Sequence, residues 1–255
     1  MMLPLILAAV AAEPAVPASD PMIALVAGAD GDQCLPDRSL CLDIPAVEDG
    51  GADAAVLRVT SPGAEAASLP LPDLGETETV NLWPHLIAGA QDSGAPRYLV
   101  GILTGQSSMY SGGGGSASQL HLLELDGAPA APALGGEVLV VPWEASLMIR
   151  ACFSEEDMKD RLEACHDEYD FGATLAVASM GGGAFPTLSY RVVATAFPRT
   201  SRRSTDNSEK PLTRADLVRA QDPVCTYDRV LRYDAATTRY KIDRPAPDCS
   251  DYTIP

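Results

Sequence analysis

The segment Thr187-Leu188-Ser189-Tyr190-Arg191-Val192-Val193-Ala194 alternates with a two-residue period. Leu188, Tyr190, Val192 and Ala194 fall on one side, and Thr187, Ser189 and Arg191 on the other. Successive side chains of a strand point to opposite faces, so this stretch reads as a strand with one face in a core and one in water. Gln119–Leu125 divides in the same way: Gln119, His121, Leu123 and Leu125 share one face, Leu120, Leu122 and Glu124 the other.

Working outward, short β-type runs recur between glycine, proline and acidic turns. They are Met22–Ala27, Ala55–Thr60, Thr79–Trp83, Arg97–Thr104, Gln119–Leu125 and Glu137–Trp143, then Ser146–Phe153, Ala173–Ser179, Thr187–Ala196, Tyr227–Tyr233 and Arg239–Ile242. Regular turn signals with few long helical periods specify an all-β, mainly antiparallel fold. The expected form is a disulfide-stapled β-sandwich or barrel-like domain with one or two short helices. A small propeller-like β fold is the alternative, but about eleven strands fill fewer than three four-stranded blades and no internal repeat is visible.

The chain has 255 residues, 46% of them apolar and 21% charged, which places it among globular proteins and excludes wholesale disorder. Its formal charge is −17, from 18 Lys+Arg against 35 Asp+Glu. Such an anion repels phosphate backbones and anionic lipid, so no nucleic-acid partner is expected. The charge is lopsided: residues 1–126 hold 16 acids against 3 bases, residues 127–255 hold 19 against 15. The stretch Gly127–Gly136, rich in alanine, proline and glycine, reads either as a joint between domains or as a long loop within one. The first half alone offers few complete amphipathic strands, so a single mainly β domain over residues 19–255 is expected.

Residues 1–12 carry no charged side chain and are followed by Glu13-Pro14-Ala15-Val16-Pro17-Ala18. Too short to span a bilayer, which needs about 20 residues, the apolar run has the length of a secretory signal core, with Ala9-Val10-Ala11 fitting small-x-small cleavage. Residues 1–18 are therefore expected to be a cleavable signal and spacer, and the protein to be periplasmic or secreted. No transmembrane segment is expected, because no later run reaches about 18 apolar residues.

Six cysteines (Cys34, Cys41, Cys152, Cys165, Cys225 and Cys249) form the even set that oxidising compartments favour. None makes a C-x-x-C, which argues against a tetrahedral metal site; no metal or cofactor is expected. Locality selects Cys34–Cys41, Cys152–Cys165 and Cys225–Cys249. The second pair conflicts with a helical pattern in which Ser154 precedes Glu155, Glu156 and Asp157, with Phe153 and Met158 at the positions of a hydrophobic staple. An unbroken helix to Cys165 would hold the two cysteines about 18 Å apart, whereas a disulfide needs alpha carbons within about 7 Å. The helix must stop after one or two turns and the chain double back. For the third pair, a hairpin pairing Tyr233 with Tyr240 brings Cys225 and Cys249 to within one residue of register.

Chemistry-bearing motifs are few. Glu155, Glu156, Asp157, Asp160, Glu163, Asp167, Glu168 and Asp170, with His166, form an acidic cluster without a calcium-loop pattern, read first as a solvated turn-and-helix surface. Neither G-x-S-x-G nor H-E-x-x-H occurs. His121 reads as a structural side chain within a strand and His85, after Trp83-Pro84, as part of a turn. Arg199-Thr200-Ser201-Arg202-Arg203 reads as a polar loop, or as a grip on an anionic partner or on the protein's own acidic half; Thr213–Ala220 reads as a short helix capped by Thr213. Gly105–Ser118 reads as the long mobile tip of a hairpin, with Met109 and Tyr110 at its base and Gly112, Gly113, Gly114 and Gly115 within it; these six residues are the expected contact site.

The functional expectation is an exported binding protein of the cell envelope that prefers cationic ligands, such as a basic protein or peptide. The alternatives are an envelope hydrolase using carboxylates of the 155–170 cluster, and a structural module without a ligand.

Overall fold

A computed structural model describes residues 20–28, 31–45, 55–90, 96–129, 131–181, 183–208 and 210–255. The expected signal and spacer, residues 1–18, lie outside the described residues. Strand outweighs helix 53% to 6%, so the protein is all-β, and the pairing is antiparallel throughout.

In chain order the strands of the first half are β1 (Met22–Ala24), β2 (Val26–Ala27), β3 (Gln33–Cys34), β4 (Cys41–Asp43), β5 (Val56–Thr60), β6 (Ala67–Pro70) and β7 (Thr79–Ala88). Three long strands follow, β8 (Arg97–Tyr110), β9 (Gly113–Asp126) and β10 (Ala133–Arg150), then helix α1 (Glu155–Asp160). The rest comprises β11 (His166–Ser179), β12 (Thr187–Phe197), β13 (Ala220–Gln221), β14 (Tyr227–Asp234), β15 (Arg239–Ile242) and helix α2 (Ser250–Thr253). They form a ten-stranded sheet in the order β1-β7-β8-β9-β10-β11-β12-β14-β15, with β13 beside β12, and a small sheet β2-β3-β4-β5-β6. Neither a propeller nor a closed barrel results; two sheets and two short helices make a sandwich-like body.

Apolar side chains on both sides of β7, β8 and β9 explain this layering. Leu86, Val100, Ile102, Leu123 and Leu125 bury against Leu35, Leu40, Leu42, Leu57 and Val59 of the small sheet and its connections. Ile87, Leu99, Leu120 and Leu122 bury instead with Tyr169, Phe171, Leu188, Tyr190, Val192 and Leu231 from the other half of the large sheet. A strand buried on both faces loses clean alternation. For that reason β7 is longer than Thr79–Trp83: it runs through Pro84 and His85 to Ala88, with an irregularity between Leu82 and Leu86 that accommodates the proline. His85 is a strand residue, not a turn residue; burial lowers the pKa of its ring. Gly101 is required where the layers touch, since a methyl there would meet Trp83 at 2.7 Å and Leu120 at 3.0 Å.

Two sequence expectations change in the structure, and of the two readings open for Gly127–Gly136 the loop between strands is the one seen. Gly105–Ser118 is not a loop: β8 continues to Tyr110 and β9 starts at Gly113, leaving a tight turn at Ser111 and Gly112, whose φ of 95° suits glycine. The glycines form strand because β9 lies between β8 and β10, where an added Cβ at Gly113 would strike the Met148 carbonyl. Of Gly127–Gly136, residues 127–132 connect β9 to β10 and the rest already belong to β10, with Ala133 paired to Asp126, so the large sheet runs straight across it. Glu137–Trp143 and Ser146–Phe153 are one strand, β10, interrupted by a register shift between Pro142 and Ala145.

All three expected disulfides are present, Cys34–Cys41, Cys152–Cys165 and Cys225–Cys249. Helix α1 stops after Asp160, and Leu162 and Glu163 adopt positive φ of 51° and 67°, turning the chain back until Cys165 lies 4.8 Å from Cys152 between alpha carbons. The capping box on Ser154 forms, while Phe153 and Met158 both stay exposed. In the C-terminal hairpin Tyr233 pairs with Tyr240. Thr213–Ala220 is not helical: Asp216 accepts from the Thr213 amide at 2.9 Å and its hydroxyl at 2.7 Å, closing an isolated turn before β13.

Candidate functional site

The register of the long strands lays side chains out in rows on the exposed face of β8–β11. Ser107 of β8 stands opposite Ser116 of β9, which stands opposite Ser146 of β10, which stands opposite Asp170 of β11. Adjacent strands are about 4.8 Å apart, so the row is a ladder of three hydroxyls ending in a carboxylate. One step along, Gly105 pairs with Ser118, and Glu144 pairs with Gly172. At the β10 register shift the Glu144 amide donates to Ser118 Oγ at 3.1 Å, which joins the two pairs. In the other direction Met109 pairs with Gly114, Gly114 with Met148, and Met148 with Glu168.

The first two rows line an open groove of about 650 Å³. Its acids are Glu78, Glu144 and Asp170, and no lysine, arginine or histidine lines it. Glu78, just before β7, accepts from the Ser107 amide at 3.0 Å and the Ser107 hydroxyl at 2.6 Å. That contact also caps an amide on the edge that β8 exposes beyond the start of β7, blunting it against strand addition. Asp170 accepts from Ser146 Oγ at 2.9 Å and, together with Glu168, pairs with Arg219. One guanidinium facing Glu78, Glu144, Glu168 and Asp170 leaves the region strongly anionic.

Of the six expected contact residues, Met109 and Tyr110 stand out at the hairpin tip, 89% and 44% exposed. Gly112 makes the turn, while Gly113, Gly114 and Gly115 are strand residues of β9. The groove itself draws on residues the sequence reading did not select: Glu78, Ser107, Ser116, Ser118, Glu144, Ser146 and Asp170. A legible signal existed in the period-two spacing of Ser116 with Ser118 and of Glu144 with Ser146, which continues the strand pattern beyond the bounds assigned to it.

The acidic cluster 155–170 is dispersed rather than convergent. Glu155, Glu156 and Asp157 occupy the first turn of α1, where the Phe153 amide and Ser154 hold the Asp157 carboxyl below the usual carboxylate range. His166–Asp170 is strand, not turn or helix, because each inward or outward acid has a partner: Asp167 points in to Arg161, Glu168 and Asp170 point out to Arg219. Arg161 is fully buried. It donates to Asp167 at 2.6 Å, to the Ala164 carbonyl at 3.0 Å and to the Asn207 carbonyl. Ser201 donates to the same Asp167 oxygen at 2.5 Å. This network pins the 198–212 segment against β11.

The basic run 199–203 turns onto its own chain. Arg202 donates to the carbonyls of Arg199 and Ser201, and Arg203 to those of Ser250 and Ile254. His121 is a buried structural side chain, 3.1 Å from the Thr104 hydroxyl through Nε2 and 2.7 Å from Glu137 through Nδ1. A grouping of metal-ligating types, Asp32 with Cys34 and Cys41, has both sulfurs committed to the disulfide. A second depression, about 670 Å³, lies between α1 and Arg214–Leu217; Met158, Leu162 and Leu217 line it along with charges of both signs.

No family model, curated protein or solved structure matches the chain. Among the described residues no helix is long and apolar enough to cross a membrane.

Proposed function

We propose that this chain is a binding protein for cationic ligands, working in an oxidising compartment outside the cytoplasm. The observation that carries the reading is the groove across β8–β11, in which Glu78 and Glu144, with no cationic partner among the described residues, share a surface with four serine hydroxyls, and Asp170 lies at its edge paired to Arg219. Ammonium and guanidinium groups carry several donors and no acceptor, which suits a surface of carboxylates and hydroxyl oxygens. Three disulfides with no free cysteine support the compartment. The groove favours binding over hydrolysis because the 155–170 carboxylates are either spread along the helix surface or engaged by Arg161 and Arg219.

The test is fluorescence anisotropy with a labelled oligolysine peptide. Binding is expected at low ionic strength and should weaken steeply as salt approaches about 0.15 M. E78Q and E144Q should each weaken it roughly two- to fivefold, the range of an exposed charge pair. Salt-independent binding, or binding indifferent to both substitutions, would refute the reading.

A further inference from the structure

The groove is the lower part of a larger unpartnered sheet face, and its upper part is apolar. Met109 and Met148 are 89% and 44% exposed and flank Gly114, and Met109 Cγ stands 3.8 Å from where a Gly114 side chain would begin, so two thioethers and a bare backbone make an exposed apolar patch. Below it β9 presents Ser116, between Ser107 and Ser146, and Ser118, opposite Gly105, so this part of the face is built of small side chains. Helix α2 packs on the opposite face, where Tyr252 lies edge-on to buried Tyr169, and leaves this side open.

Three rows follow one another along β9 at every second residue: apolar at Gly114, hydroxyl at Ser116 with Glu78 held on Ser107 and the Arg219-paired Asp170 at its ends, then Glu144 at Ser118. Every second residue of a strand advances about 6.6–6.8 Å. An extended peptide laid along β9 repeats its same-side chains at that interval, so one apolar and two cationic side chains meet the three rows in step. A lone cation has no apolar group to set against the methionines. β9 is paired on both edges, by β8 and β10, so such a peptide is read by side chains from above rather than added as a strand.

We infer that the ligand is an extended segment of a basic protein carrying an apolar residue followed, at the second and fourth positions after it, by lysine or arginine. The apolar side chain rests on the patch made by Met109 and Met148 beside Gly114, and the two cations sit over the Ser116 and Ser118 rows. This rests on the cationic-ligand reading and adds to it the conformation, spacing and apolar anchor of the ligand.

The experiment compares three labelled peptides on the full chain: Leu-Ser-Lys-Ser-Lys, Ser-Ser-Lys-Ser-Lys, and the respaced Leu-Lys-Ser-Ser-Lys. The first is expected to bind roughly three- to tenfold more tightly than Ser-Ser-Lys-Ser-Lys, from partial burial of one leucine side chain, and about two- to fivefold more tightly than Leu-Lys-Ser-Ser-Lys, in which one lysine is out of step with its row. M109S/M148S should abolish the leucine advantage, so that Leu-Ser-Lys-Ser-Lys and Ser-Ser-Lys-Ser-Lys bind that variant equally. If the basic peptides bind but leucine brings no gain, or the gain ignores spacing or survives in the double variant, the inference falls and the cationic-ligand reading stands. If none of the three peptides binds, both fall.

Discussion

Replacing Arg161 with alanine should destabilise the protein more than any other single arginine substitution. In the native state its guanidinium is out of contact with water and is held by the Asp167 carboxylate at 2.6 Å and two backbone carbonyls. Truncation leaves Asp167, itself 3% exposed, as a buried anion whose remaining described partner is the Ser201 hydroxyl. Breaking a buried pair from one side costs about 3–5 kcal/mol, because the surviving charge is uncompensated. For a protein of this size that corresponds to a fall in Tm of about 6–20 °C. The assay is guanidinium denaturation under non-reducing conditions, followed by tryptophan fluorescence, for R161A, D167A and the volume-matched double variant R161M/D167L. The singles should be severe, and the double variant should recover most of the loss, since removing both charges leaves neither buried alone. A loss below about 1 kcal/mol in R161A, or a double variant as damaged as the two singles together, would show that the pair is not the buried network described above.

Two further predictions concern the scaffold. Replacing Cys225 and Cys249 together with serine frees a loop that separates them by 24 residues and should cost about 3.5 kcal/mol on the chain-entropy account, read as a lower denaturation midpoint against the oxidised parent. At alkaline pH, burial holds the phenols of Tyr169, Tyr190, Tyr240 and Tyr252 well above their ordinary value of 10.0, and burial with Glu124 pushes Tyr233 up to about 12. A raised folded-state pKa means the folded state keeps protons that the unfolded chain releases. Stability is therefore complete below pH about 10 and falls as pH rises above it. Phenolate absorbance should rise together with loss of circular dichroism for these residues; smooth titration near pH 10 in a chain that stays folded would contradict their burial.

Much of the scaffold was legible because it is set by neighbours in sequence. The alternation of Thr187–Ala194 places Leu188, Tyr190, Val192 and Ala194 in the core as expected, and the cysteine pairs and the Tyr233–Tyr240 register follow from local geometry. The misreadings share another cause. Acids at Asp167, Glu168 and Asp170 look incompatible with a strand until Arg161, Ser201 and Arg219 arrive from elsewhere in the chain. The glycines at 113–115 look like a loop until β10 packs against them. The groove was hidden for the same reason: Ser107, Ser116, Ser146 and Asp170 form a row only after four strands are in register. Composition reports each residue, while register decides which ones meet.

Register also explains why the anionic groove is not neutralised by the basic residues of the second half. Fifteen bases lie beyond residue 126, enough to cancel most of the acids around them, yet the best placed are occupied. Arg161 is sealed in the interior, Arg202 and Arg203 donate to backbone carbonyls, and Arg229 is likewise turned to the carbonyls of Asp228 and Pro245. A guanidinium that satisfies carbonyls stabilises loops and chain ends, but its charge is held where the fold needs it. Arg219 alone of these reaches the groove's edge, and it meets two carboxylates there. No ion pair joins Glu78 or Glu144 to a base among the described residues. An anionic groove in a chain with that many arginines is thus a product of where the arginines point, and Glu78 and Glu144 keep their charge uncompensated by any cationic partner among the described residues.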